Sequence, residues 1–183
     1  MHQLNTPRLL GTPTTPRDFT DLRTLHADPR VMATLSADGA IFTEAETRAF
    51  LDRSAAHWNS HNFGLWTFRD KSTDDFVGYG GIKHTLVEAR DEIELAYAIT
   101  ADNWRKGFAT EISKAALDHA FNTLDVSQII AFTLPLNKAS RAVMENCGFT
   151  YQRDITHATL PHVLYTLESP PKKTSNQGRS PAS

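Results

Sequence analysis

The chain has 183 residues, of which 40% are hydrophobic, and a formal net charge of −2. This length suits one well-filled domain, and the interspersed charges lack the concentrated basic face of a nucleic-acid-binding protein. The single cysteine, Cys147, excludes an internal disulfide framework and a cysteine-based zinc cluster. No apolar run approaches the roughly 18 residues that cross a bilayer, and the N-terminus lacks a secretory signal pattern. We therefore expect a soluble cytoplasmic protein without nucleic-acid or membrane partners.

The first half of the chain predicts two helices and three strands. A strand over residues 8–12 precedes a helix that begins at Thr15-Pro16 and stops before Pro29. A second helix begins at Thr43, where Glu46 completes a capping box. Two further strands, 65–68 and 76–82, flank a polar turn. The glycines of the later strand indicate a bulge or the close approach of another backbone or a ligand.

The second half predicts a parallel pair of strands within a mixed α/β sheet. A strand over 92–100 is followed by an alanine-rich helix that continues to about Thr123, and then by a strand over 128–134 with apolar residues on both faces. These three elements predict a right-handed βαβ unit, whose ligands bind beyond the carboxyl ends of its strands. The remaining elements are a helix over 137–146 and strands near 149–155 and 163–167.

The composition changes after residue 168. Residues 169–183 contain no aromatic or branched aliphatic side chain, so they cannot bury enough surface to offset the entropy of ordering. We therefore predict one folded domain over residues 1–168 and a disordered polar tail over 169–183.

A basic loop joins the strand 92–100 to the alanine-rich helix. Around Gly107, Arg105 and Lys106 lie at a helix N-terminus, where unpaired N–H groups and the helix dipole favour a phosphate or pyrophosphate. Taken alone, the loop is equally consistent with an ordinary strand-to-helix turn that carries a solvated basic pair.

Four motifs, in order, resemble the GCN5-related N-acetyltransferases (GNAT). The resemblance is strongest to the branch around the ribosomal-protein N-terminal (Rim-type) acetyltransferases. It covers roughly residues 4–167, although Trp104 departs from the superfamily's usual first loop residue, whereas Ala109 fits the last position of that pattern. The motifs are Leu4-Asn5-Thr6-Pro7-Arg8-Leu9-Leu10, Glu94 through Ile99 with Trp104 through Glu111, Asn137-Lys138-Ala139-Ser140-Arg141, and Glu145-Asn146-Cys147-Gly148-Phe149.

The resemblance implies a single-domain α/β fold and acetyl-CoA as cosubstrate. The fold would be a central mixed, mostly antiparallel sheet with helices on both faces and a splayed parallel strand pair at the acetyl-CoA site. Backbone and side-chain groups at this site would bind the pyrophosphate, the pantetheine arm and the thioester, with no metal. The implied cofactor-binding residues are Leu95, Ala96, Tyr97, Arg105, Lys106, Gly107, Phe108, Ala109, Thr110, Asn137 and Ser140.

Two residues match catalytic positions of the family. Glu94 would act as a base, directly or through water, or would be a structural or substrate-orienting carboxylate. Ser140 stands in the first turn of its predicted helix, where it would stabilise the departing thiol or only satisfy backbone groups. That helix contains no tyrosine, the residue that many superfamily members use for this purpose.

Other residues carry weaker signals. His57 and His61 have a spacing that can bind metal but lack an evident third ligand. His84 and His162 are candidates for a substrate channel, and Cys147 is best read as a small buried residue.

The implied activity is acetyl transfer to a protein N-terminus or a small-molecule amine through a ternary complex. The alternatives are a catalytically inactive CoA-binding sensor or assembly module, and an unrelated nucleotide-binding domain. The acceptor is not identified by the sequence, and oligomeric state is open, with a homodimer as one option.

Overall fold

The computed structural model describes residues 2–36 and 39–171, which form five helices and one eight-stranded sheet. Two short 3₁₀ turns precede the first and fourth helices. Of the predicted polar tail 169–183, residues 172–183 lie outside the described part. The elements in chain order are β1 Leu4–Asn5, β2 Leu9–Pro13, α1 Phe19–His26, α2 Pro29–Leu35, α3 Glu44–His61, β3 Leu65–Asp70, β4 Phe76–Val87, β5 Arg90–Ile99, α4 Phe108–Asn122, β6 Gln128–Thr133, α5 Lys138–Asn146, β7 Thr150–His157 and β8 Leu160–Glu168.

The sheet has the order β1-β2-β3-β4-β5-β6-β8-β7. Every neighbouring pair is antiparallel except β5 and β6, which are parallel and joined through α4. The predicted mixed sheet and its parallel pair are confirmed. The strand β6 lies between β5 and β8, which explains why apolar side chains occupy both of its faces.

Helices cover both faces of the sheet. On one face, Leu95 of β5 packs in a cluster with Ala116 of α4 and Met144 of α5. On the other face, Ala98 of the same strand packs with Leu22 of α1 and Leu51 of α3. Odd and even residues of one strand point to opposite faces, so this alternation places α4 and α5 on one face and α1 and α3 on the other.

The glycines of β4 permit the close approaches that the sequence predicted. A Cβ on Gly80 would lie 2.6 Å from Ile112 of α4, so the missing side chain lets α4 lie directly on the sheet. A Cβ on Gly78 would lie 2.2 Å from the carbonyl oxygen of Ala98, at a φ of +155°. Both glycines therefore bring β4 close to the strand and helix that bound the site described below.

Two features of the fold were not predicted. A separate helix, α2, begins at Pro29, where Asp28 caps it by accepting a hydrogen bond from the Arg30 N–H at 2.9 Å. Proline ends the preceding helix but fits the first turn of a new one, because that turn's N–H groups need no helical partner.

The second feature is a pair of hairpins with two-residue turns, β4–β5 and β7–β8. Their turn residues have positive φ without glycine or asparagine, so the usual sequence signal is missing and the predicted strands were too short. These residues are Glu88 (48°), Ala89 (63°), Ala158 (46°) and Thr159 (69°).

A buried histidine makes the helical face of the domain sensitive to pH. His26 is fully buried among Phe42, Phe50 and Tyr79, with Nδ1 3.3 Å from the Thr47 hydroxyl. Its Nε2 has no partner among the described residues. Burial and the nearby positive charge of Arg23 lower the pKa of His26 from 6.5 to about 4. The folded protein therefore holds this imidazole neutral.

We predict that His26 weakens folding stability as the pH falls from 6.5 towards 4. In this window the unfolded chain binds a proton that the folded chain excludes, so the free energy of unfolding should fall by about 2 kcal/mol between pH 7 and pH 4.5. Urea denaturation of wild type and of His26→Gln at both pH values measures how much of the fall in the free energy of unfolding is due to His26. Parallel pH dependence in the two proteins would contradict it.

Candidate active site

The parallel strands β5 and β6 separate to form the main cleft of the described structure. They are paired at one position only, Glu94 with Ile130, although β5 continues to Ile99 and β6 to Thr133. A cleft of about 1000 Å³ opens along this stretch. Its walls come from the start of α4, the start of α5, the end of α2 and the β7–β8 turn. The cleft thus lies beyond the carboxyl ends of the parallel strands, as the sequence predicted.

One end of the cleft is formed by the basic loop before α4. Arg105 and Gly107 both have left-handed backbone conformations, with φ of 60° and 81°. Within residues 2–36 and 39–171, no group accepts a hydrogen bond from the backbone N–H of any residue from 105 to 110. Consecutive N–H groups in such a conformation form a concave site for an anion, and the helix dipole adds to it.

The opening strand region holds this loop in place. Arg8 forms an ion pair with Glu111 of α4 at 2.7 Å, donates to the carbonyl oxygen of Lys106 at 2.9 Å and stacks over Phe108. The Thr6 hydroxyl donates to the same carboxylate at 2.6 Å. Burial alone would raise the pKa of Glu111, but the bonds from Thr6 and Arg8 outweigh it and lower the pKa. Glu111 therefore stays charged and ties the loop to the sheet edge.

The structure brings nearly all the predicted site residues together. The Lys106 ammonium is the exception, because it bonds to the Asn103 side chain at 2.8 Å and Lys106 does not line the cleft. The predicted residues that line the cleft are Glu94, Leu95, Ala96, Tyr97, Arg105, Gly107, Phe108, Ala109, Thr110, Asn137 and Ser140.

A tyrosine, Tyr97, contacts Ser140. It comes from β5 and not from α5, the helix in which many superfamily members carry their tyrosine. The Tyr97 hydroxyl lies 2.9 Å from the Ser140 hydroxyl and donates to the Ser140 carbonyl oxygen at 3.1 Å. Burial raises the pKa of Tyr97 above its usual range, so its hydroxyl stays protonated. The Asn137 side chain caps α5 by accepting from the Ser140 N–H at 3.1 Å. Period-two spacing from Leu95, which faces α4 and α5, was the sequence signal for this contact.

Glu94 lies at the opposite end of the cleft from the basic loop. Only 8% of the residue is exposed, and its Oε2 forms an ion pair with Lys83, its cross-strand partner on β4. Lys83 also lines the cleft and was missed by sequence reasoning, because the register of the β4–β5 hairpin was unknown.

Aromatic and imidazole side chains surround this acidic end. His157 and His162, from the β7–β8 hairpin, line the cleft beside Phe132 of β6. Their ring centroids lie 4.6 and 5.5 Å from that of Phe132. The sequence marked His162 as a channel candidate but did not single out His157, which lies next to a turn that carried no recognisable signal.

The histidines of α3 lie outside the cleft. His57 stacks with His61 and with His84 of β4, so a third histidine is present. However, the Phe63 carbonyl oxygen accepts from His57 Nδ1 at 2.8 Å, and His57 Nε2 accepts from the His84 N–H at 3.0 Å. Both nitrogens are therefore occupied. No cluster of three or more His, Cys, Asp or Glu in the described ranges has an arrangement for metal.

Cys147 follows the last turn of α5 and does not line the cleft. Burial raises the pKa of its thiol, which disfavours the reactive thiolate. Cys147 is only partly buried, packed at the edge of the cluster that contains Met144, so the expected buried position is met in part.

The family of the chain follows from its sequence as well as from this geometry. A family model described as an acetyltransferase (GNAT) domain matches residues 8–150. The chain belongs to the GNAT family and is an acetyl-CoA-dependent acyltransferase. Within residues 2–36 and 39–171, no helix is both long and apolar enough to span a membrane.

Individual proteins agree with this assignment. The chain is 30% identical over 145 residues to the uncharacterized protein YkkB of Bacillus subtilis, covering 79% of this chain and 83% of that one. It is 30% identical over 144 residues to FsC-acetyl coenzyme A-N(2)-transacetylase of Aspergillus fumigatus, covering 74% of this chain and 58% of the relative.

Among solved structures, ribosomal-protein-S5-alanine acetyltransferase from Vibrio fischeri matches with a TM-score of 0.71 and 16% identity, over 94% of this chain and all of that one. This likeness confirms the expected fold.

We predict that charge at Gly107 controls CoA binding. The left-handed backbone at this position is tolerated by asparagine and aspartate better than by most residues. These two side chains have nearly the same shape and differ in charge. Gly107→Asp should bind CoA about tenfold or more weakly than Gly107→Asn, because a carboxylate would lie beside the phosphates. Isothermal calorimetry with CoA measures the difference, and thermal melts check that both variants fold. Equal affinities would refute this placement of the phosphates.

Proposed function

We propose that the protein transfers the acetyl group of acetyl-CoA directly to an amine, within a ternary complex. The observation that carries this proposal is the cleft between β5 and β6, with free backbone donors at one end and an acidic group at the other. Acetyl-CoA supplies an activated thioester, and the chain's own groups bind, orient and exchange protons around it.

The donor would be held mainly by backbone groups. The N–H groups of residues 105–110 would bind the pyrophosphate, with the exposed Arg105 nearby. The unpaired edges of β5 and β6 would take the pantetheine arm as an additional strand, because their N–H and C=O groups otherwise lack partners. A backbone N–H within Leu95 to Tyr97 would polarise the thioester carbonyl.

The acceptor would enter at the Glu94 end. The Glu94 carboxylate attracts a protonated amine, while the ion pair with Lys83 fixes its orientation. Because Lys83 already engages Oε2, we favour the substrate-orienting role of Glu94 over that of a free base. Holding amine and thioester side by side would supply much of the rate acceleration.

The departing thiol would be stabilised by the hydroxyl pair of Ser140 and Tyr97. The single proton of the Tyr97 hydroxyl can go to the Ser140 carbonyl oxygen or to the Ser140 hydroxyl oxygen, and in the second arrangement the proton of Ser140 is free to point into the cleft. Two linked hydroxyls make a better proton source than one serine alone, since each polarises the other.

The acceptor class that we propose is a protein N-terminal α-amine or a small-molecule amine. The names of two similar proteins support these options. The Vibrio fischeri protein is named for an alanine of a ribosomal protein, and the Aspergillus fumigatus protein is named for transfer to an N(2) position. An α-amine titrates near 8 and a lysine near 10.4, so an α-amine needs less help to become neutral.

Calorimetry followed by an acceptor screen tests this function. We expect acetyl-CoA and CoA to bind and ATP not to bind. Acetylation is then followed by mass spectrometry with a tetra-alanine peptide, spermine, ribostamycin and glycine amide. Binding of ATP alone would refute the assignment, whereas CoA binding without acetylation of any amine would favour the sensor or assembly module.

We predict that Ser140 and Tyr97 act as one unit. Ser140→Ala should lower kcat about tenfold and leave CoA affinity unchanged, and Tyr97→Phe should lower kcat less. The double variant should be no slower than Ser140→Ala, because groups that share one hydrogen bond are not additive. Tyr151→Phe, on an exposed tyrosine outside the cleft, is the control. An unchanged kcat in Ser140→Ala would remove the proposed role.

A further inference from the structure

One imidazole in the cleft, that of His157, forms no hydrogen bond with any described residue. His157 is the last residue of β7 and lines the acceptor end. Its ring packs against Phe132, with centroids 4.6 Å apart, and lies 5.8 Å from the ring of His162. No group in the described part of the chain makes a hydrogen bond to either of its ring nitrogens. A half-buried imidazole with free nitrogens in a cleft is available to a ligand.

Its surroundings keep this imidazole neutral. Burial is the main cause that lowers the pKa of His157, and His162 of β8 and Lys83 of β4 lower it further. Glu94 of β5 acts in the opposite direction but does not reverse the shift. The fourth neighbouring element, β6, presents the uncharged Phe132. A neutral imidazole at neutral pH can accept a proton, and proximity to Glu94 would stabilise the imidazolium that forms.

His162 is less suited to the same task. Its Nδ1 donates to the Leu160 carbonyl oxygen at 3.1 Å, which leaves one nitrogen for a ligand and ties the ring to its own hairpin. Glu94 has one carboxylate oxygen engaged by Lys83. Of the three groups at the acceptor end that can accept a proton, His157 is the one whose side chain forms neither a hydrogen bond nor an ion pair among the described residues; His162 is tied through Nδ1, with Nε2 as its basic nitrogen, and Glu94 through Oε2.

We propose that His157 is the general base that deprotonates the acceptor ammonium, which Glu94 holds beside it. The inference rests on the proposed acetyl transfer. The ammonium gives one proton to His157, and the resulting amine forms the new C–N bond as the C–S bond breaks. The nitrogen's second proton passes to water as the amide forms. The sulfur takes one proton from the Ser140–Tyr97 hydroxyls, which regain one from water. His157 returns its proton to water, so the net products are the amide, CoA thiol and one proton.

The pH dependence of turnover tests this role. The probe is whichever of the four amines named above the wild-type protein acetylates fastest. A base must be unprotonated, so wild-type kcat/KM should fall below the pKa of His157, on the acid side of 6.5. His157→Gln should lower kcat about 100-fold at pH 7 with unchanged CoA affinity. The residual rate of this variant should follow only the fraction of the amine that is neutral. The fall in kcat/KM that His157 causes at acidic pH, the acid limb of the profile, should be absent.

Chemical rescue separates a base from a residue that only shapes the cleft. His157→Ala should be slowed as much as His157→Gln, and added imidazole should restore part of its activity in proportion to the unprotonated imidazole. The matched control is His61→Gln, an exposed histidine outside the cleft, whose kinetics should equal those of wild type.

The outcomes distinguish the two levels of the proposal. If wild type acetylates an amine and His157→Gln is equally active, or only His162→Gln removes the acid limb, the role of His157 is refuted while acetyl transfer stands. If wild type binds CoA but acetylates none of the amines, the proposed acetyl transfer is refuted, and the proposed role of His157 as a base is refuted with it.

Discussion

The separation of β5 from β6 is the constraint on which the rest of the structure depends. Parallel strands normally continue their hydrogen bonding, yet here the pairing is limited to Glu94 and Ile130. The backbone groups beyond that point need other partners, and in the proposed function an extended bound ligand would supply them. The gap stays open because each strand is held from its other side, β5 by the long antiparallel pairing with β4 and β6 by that with β8.

The two ends of the cleft have different chemistry because they are assembled from different elements. At the phosphate end, left-handed residues expose backbone donors, and Arg8 and Glu111 lock the loop from the sheet edge. At the acceptor end, side chains from β4, β5, β6, β7 and β8 converge on a carboxylate and an unpartnered imidazole. Under the proposed function, the end built from backbone donors would bind the phosphates of CoA, and the end built from side chains would select the acceptor.

Several elements could be predicted from sequence because they depend on residues that lie close together in the chain. The capping box at Thr43 and the N-cap at Thr15 are formed as predicted, and the alanine-rich helix runs from Phe108 to Asn122. Contacts across strands were not readable in this way. Lys83 meets Glu94 only because the β4–β5 turn at Glu88 and Ala89 fixes the register, and neither turn residue is one that normally marks such a turn.

The sequence by itself determined the family and the fold class, and it predicted a donor-binding role for the loop before α4. These depend on periodicity, on glycine where φ is positive and on motifs in a fixed order, all of which are written along the chain. Only the tertiary structure decided which side chains meet in the cleft. The pairing of Tyr97 with Ser140, the ion pair of Glu94, and the free imidazole of His157 join residues far apart in sequence. Strand register and helix packing bring such residues together, and those are properties of the folded chain as a whole.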